Sequence, residues 1–254
     1  MDSASHKQTD GKPQIEPSKE LTPSAQKCRE LFAESPFDGA LHQEIGQALT
    51  AGREFELAQQ ALESAQMLVP LAVESQIDLA HCYIENGKQE LAIGLLEPIK
   101  EQQELSTAAL LKAAEMLDRV NDYPGAWQLS RRAVVAAPED AKAWFHLSFY
   151  MGRLKAPFSQ VEAAARRAIN LAPDNAEFRI SLAAALCHFQ RYSDAMQLVG
   201  QLINSDLTKV CCSSCLQNLR NVFETASCWD GVVACSEELT RRTVQSNPDW
   251  SEHK

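Results

Sequence analysis

The sequence is poor in the residues that build strands and catalytic loops. Glycine occurs 10 times and proline 11 times in 254 residues, and aromatics make up 7%. Clusters of Val, Ile and Thr alternating with polar residues are missing, so the composition runs against a sheet and toward helices. No glycine-rich loop stands ready to cradle a phosphate, no HExxH pair shares a helix face, and no serine sits in a glycine-flanked elbow. Catalysis has no residues to rest on, and neither a cofactor nor an enzymatic activity is expected. No stretch approaches the roughly 18 apolar residues of a membrane-spanning helix. Met1 to Lys12 has no apolar core of the secretory kind, which sets the expectation of a cytoplasmic protein. Positive charge is in the minority, with 24 Lys and Arg against 34 Asp and Glu and a net charge of −10. That field repels phosphate backbones and anionic lipid, which argues against nucleic acid and membrane insertion.

What is present is Ala and Leu in quantity, within a hydrophobic share of 45%. Residues 1–20 are Ser-, Lys-, Gln-, Asp- and Pro-rich with almost nothing to bury, and read as a disordered tail. From Leu21 onward, Ala- and Leu-rich segments carry apolar residues at three- and four-residue steps, the pattern of successive amphipathic helices. Pro36, Pro70, Pro138 and Pro173 lie 34, 68 and 35 residues apart, multiples of a unit of about 34, and each follows a helix where a missing amide donor does no harm.

Phasing on these prolines starts units at Gly39, Val73, Thr107, Ala141 and Ala176, with a degenerate sixth near Ser213. The eighth position is then small (Gly46, Ala80, Ala114, Ser148, Ala183) and the eleventh large (Leu49, Tyr83, Leu117, Met151, Leu186). Small meets large where two helices cross closely. The twentieth position is Ala58, Ala92, Ala126 and Ala195. The fourth unit departs by one extra residue around Lys155 to Phe158 and by Val161 at the twentieth position, and the third break has Glu104 in place of the proline.

This pattern resembles the tetratricopeptide repeat (TPR) family over roughly residues 22–247. The resemblance implies an all-α fold, a right-handed α-solenoid of stacked antiparallel helix pairs. Residues 21–38 would form an N-terminal capping helix, 39–212 five repeats, 213–247 a degenerate sixth repeat and C-terminal cap, and 248–254 a polar tail. It also implies a concave groove lined by the first helices, with positions two, five, nine and twelve facing a partner. The groove residues assigned at or next to these positions are Ile77, His81, Leu111, Lys112, Glu115, Phe145, His146, Phe149, Arg153 and Ile180. Ile77, Leu111, Phe145 and Ile180 form an apolar strip that either takes a peptide or helix or packs against the neighbouring helix. The Lys and Asn of the family's carboxylate-gripping site are not found at the matching positions.

The reading that follows is a non-enzymatic adaptor or scaffold for a protein or peptide partner, with self-association as a further option. A holding chaperone for a secreted or membrane-associated client is an alternative. A zinc- or redox-regulated switch is another, since Cys211, Cys212, Cys215, Cys228 and Cys235 fall within 25 residues and Cys212 and Cys215 have the spacing of half a zinc site. Cys215 and Cys228, about 20 Å apart along a helix at 1.5 Å per residue, cannot share one ion. No metal is therefore expected, with Cys212 and Cys215 as the candidates if one binds.

Overall fold

The computed structural model describes residues 23–204, 207–210 and 212–246; the expected tails at 1–20 and 248–254, and Cys211, lie outside them. Among the described residues every regular element is helical. The chain divides after Leu71 into two compact units, so the stretch 39–212, expected as one run of five repeats, is shared between them. The first unit holds α1 (Pro23–Glu34), α2 (Gly39–Ala51) and α3 (Phe55–Leu68). The second holds α4 (Val73–Glu85), α5 (Gln89–Glu101), α6 (Thr107–Arg119), α7 (Tyr123–Ala136), α8 (Ala141–Arg153), α9 (Phe158–Leu171), α10 (Ala176–His188), α11 (Tyr192–Val199), α12 (Ser213–Thr225) and α13 (Trp229–Ser246). Two 3-10 turns, Gly200–Asn204 and Leu207–Lys209, join α11 to α12.

The starts of α2, α6, α8 and α10 are fixed by short polar side chains that satisfy otherwise orphaned amides. Asp38 accepts from the Leu41 amide at 3.0 Å, Ser106 from Ala109 at 3.1 Å, Asp140 from Lys142 at 2.8 Å and Asn175 from Glu177 at 2.9 Å. The turn inside each helix pair is built one way throughout. Its second residue has positive φ: Arg53, Gly87, Asn121, Lys155, Gln190 and Ser227. The next amide reaches back to the helix it has left, as Lys88 does to the Tyr83 carbonyl at 2.7 Å and Cys228 to Phe223 at 2.8 Å. This Schellman closure ties off the last carbonyls and folds the second helix back antiparallel to the first. Five of these turns have three residues; the α8–α9 turn, 154–157, has four, and absorbs the extra residue of the fourth unit.

Within each pair the small eighth and twentieth positions sit at the crossing, and Ala80, Ala114, Ala183, Ala58, Ala92, Ala126 and Ala195 have no exposure to solvent. Gly46 is the tightest case, since a Cβ there would stand 2.5 Å from Leu62 Cγ. In the second unit first helices also meet one another: α4 packs on α6, α6 on α8 and α10 on α12. The second helix of one pair likewise packs on the first of the following pair, α7 on α8 and α9 on α10. Stacked pairs whose faces are closed only by their neighbours make an all-α solenoid.

Candidate functional site

Polar side chains of α4, α6 and α8 pair across the stack. The Lys112 ammonium meets the Asp78 carboxylate at 2.5 Å, and Arg119 meets Glu85 at 2.7 Å. Both pairs join residues 34 apart, at the same position of successive units. On α8 the next contacts are His146 with Glu115 at 3.5 Å, Arg153 with Asp118 at 3.7 Å, and the Tyr150 hydroxyl donating to the Ala114 carbonyl at 3.2 Å. Residues 146, 150 and 153 are thus the face of α8 that lies on α6.

The expected apolar strip is closed rather than presented. Ile77 and Ile180 are at most 1% exposed and Leu111 is buried as well. Phe145 stacks on Phe178 of α10, with ring centroids 4.6 Å apart and planes at 25°. The reason is angular. Position five points at the next first helix, so in this chain it packs the solenoid instead of facing outward. Phe149 escapes that fate: at 100° per residue it lies about 40° from Phe145 and about 40° from Arg153, between the face of α8 turned to α10 and the face turned to α6. It remains 41% exposed.

Around Phe149 the surface is mixed. The Arg153 guanidinium lies 5.9 Å from the Phe149 ring centroid and 4.3 Å from that of Tyr123, and it donates to the Tyr123 hydroxyl at 2.6 Å. Asp118 Oδ1 is buried and makes no protein hydrogen bond, an arrangement that costs free energy unless a donor reaches it. Glu115 stays exposed beside His146, whose imidazole burial holds down to about 4. At neutral pH His146 is therefore uncharged, and its 3.5 Å approach to Glu115 is a contact with a neutral ring rather than an ion pair. His81 is half-buried beside Glu85, 3.4 Å away, and burial lowers its pKa, reinforced by Arg119. The site residues the structure brings together are Lys112, Glu115, His146, Phe149 and Arg153 on α6 and α8; Ile77, Leu111 and Ile180 stand apart from any surface. Tyr123, absent from the sequence assignment, left no separate signal; Asp118, also absent, stands at position twelve of its unit, and Asp78 and Glu85 left a signal in opposite charges 34 residues upstream of Lys112 and Arg119.

Among the described residues no group of three or more His, Cys, Asp or Glu is arranged to hold a metal ion, and no described helix is long and apolar enough to cross a membrane. No protein-family model and no curated protein matches the sequence. Solved structures do match the fold. PilF of Pseudomonas aeruginosa superposes with a TM-score of 0.60 at 15% identity, covering 85% of this chain and 92% of its own. MamA from Desulfovibrio magneticus RS-1 gives 0.57 at 16% identity, covering 67% and 96%. YrrB, described as a TPR protein with an unusual peptide-binding site, gives 0.54 at 14% identity, covering 71% and 92%. With its helix pairs, small-residue crossings and 34-residue period, the chain has the tetratricopeptide-type fold.

Proposed function

We propose that the protein is a non-enzymatic interaction adaptor that holds a peptide segment of a protein partner across α6 and α8. The observation that carries this reading is Phe149, an exposed ring on α8 beside the Arg153 guanidinium, which also pairs with Asp118. An apolar side chain of the partner would cover the ring, and an acceptor group of the partner would meet the half-exposed Arg153 guanidinium. Interfaces concentrate their energy in such aromatic anchors with polar groups around them. The peptide-binding site reported for YrrB lends the fold a precedent for this use.

The test is affinity capture from the native cell with wild type and with Phe149→Glu, read by mass spectrometry beside a thermal melt of each. The expected result is loss of the main partner at an unchanged melting temperature. Capture of the same partner at the same level by both proteins overturns the assignment of this surface.

A further inference from the structure

The approach to α12 carries a feature that partner binding does not use. Cys212 is the N-cap of α12: its sulfur accepts the Cys215 amide at 3.3 Å, lies 3.0 Å from Ser214 Oγ, and stands 3.1 Å from the Cys215 sulfur. Cys212 is partly exposed, whereas Cys215 is 8% exposed and belongs to the core cluster with Leu216, Leu219 and Val210. The chain leading into Cys212 is clamped from α13, because the Arg242 guanidinium donates to the carbonyls of Leu207, Thr208 and Val210 at 3.2, 3.2 and 2.9 Å. Neither sulfur is therefore easily withdrawn from the other, and a disulfide of about 2.05 Å requires an approach of only about 1 Å more.

We propose that Cys212 and Cys215 form a thiol–disulfide exchange site that takes a small-molecule disulfide of the glutathione class, with Cys212 as attacking and Cys215 as resolving thiol. The Cys212 thiolate, whose charge the Cys215 amide and the start of α12 stabilise, attacks one sulfur of the incoming disulfide. That S–S bond breaks, one small thiolate leaves, and a mixed disulfide remains on Cys212. Cys215 then gives up its proton and attacks the Cys212 sulfur, forming the Cys212–Cys215 bond and expelling the second small thiolate. The two protons lost by the cysteines go to the two leaving thiolates, so one dithiol and one disulfide become one disulfide and two thiols. The order follows from burial, since of these two residues Cys212 is the one open to a reagent in solution. The site is independent of the surface on α6 and α8.

The full chain, equilibrated with oxidised glutathione, trapped with an alkylating reagent and mapped by peptide mass spectrometry, tests this. In wild type the peptide spanning both residues is expected to lose two hydrogen masses and carry no glutathione. Cys215→Ser should accumulate a stable single adduct on Cys212. Cys212→Ser should leave Cys215 unmodified until the protein is denatured, and Cys211→Ser should keep the bridge. A wild-type bridge that maps to Cys211, a wild-type adduct that persists without ring closure, or unreacted thiols at Cys212 each overturn the proposal, and the wild-type map decides the matter even where a variant loses helicity.

Discussion

Single residues govern the six turns. Gly87 has a φ of 73° with nothing within 4 Å of where a Cβ would stand, so Gly87→Ala removes no contact and adds only the cost of a left-handed alanine. A loss of about 1 kcal/mol in chemical denaturation is expected. Gln190 holds the equivalent place with a φ of 59°, and Gln190→Gly should raise stability by a few tenths to about 1 kcal/mol. If neither substitution moves the denaturation midpoint, the turns do not carry this strain. Only Gly87 and Asn121 of these residues advertise a helix end in the sequence; Arg53, Lys155, Gln190 and Ser227 adopt the conformation because the packed helices on either side impose it. His146 acts at the same scale. Its folded pKa of about 4 lies below the unfolded value of 6.5, so the unfolded chain takes up the proton first. The stability that the neutral ring contributes is complete above pH 6.5 and is lost as pH falls toward 4, by at most about 3 kcal/mol. His146→Gln should flatten the pH dependence of stability over that interval; parallel losses in wild type and variant would show that the ring is not held neutral.

Elements decide what a side chain faces. The core stripe of each first helix was legible because apolar spacing gives an angle, and the angle of positions seven, eight and eleven points at the second helix. Position five was not, because spacing does not reveal what stands on that side, and Phe145 finds Phe178 there. Phe145→Glu should therefore lower stability by roughly 2–4 kcal/mol through a desolvated charge and a lost ring pair, unlike Phe149→Glu one turn along. Equal melting temperatures for the two single variants would contradict the stacked arrangement. The second unit, whose Glu104 replaces the terminal proline, ends its α5 carbonyls differently from its neighbours: the Arg132 guanidinium of α7 donates to the Lys100 carbonyl at 2.8 Å and also to that of Gln102. A basic residue one unit downstream supplies the helix ending that proline spacing marks elsewhere.

At the scale of the second unit, contacts pass from helix pair to helix pair, and opening is expected to follow suit. In the second unit α6 and α8 have described neighbours on both sides, whereas α12 and α13 have them on one. Hydrogen exchange should give amides of α6 and α8 slower exchange than those of α12 and α13; uniform protection would mean that the unit opens only as a whole. The 34-residue period made the solenoid readable from sequence, but the division after Leu71 was not, since Val69, Pro70 and Leu71 resemble the other breaks in composition. The cross-stack ion pairs also limit how such a chain can be lengthened. Asp78 faces Lys112 and Glu85 faces Arg119, so the two members of each contact occupy one position in successive units with opposite sign. Copying the segment 107–140 in tandem would set Lys112 against a second Lys112 and Arg119 against a second Arg119. Modular as the backbone is, its units are not interchangeable bricks: a duplicated unit would arrive with like charges at both contacts of the new joint and would need new residues there before it could seat.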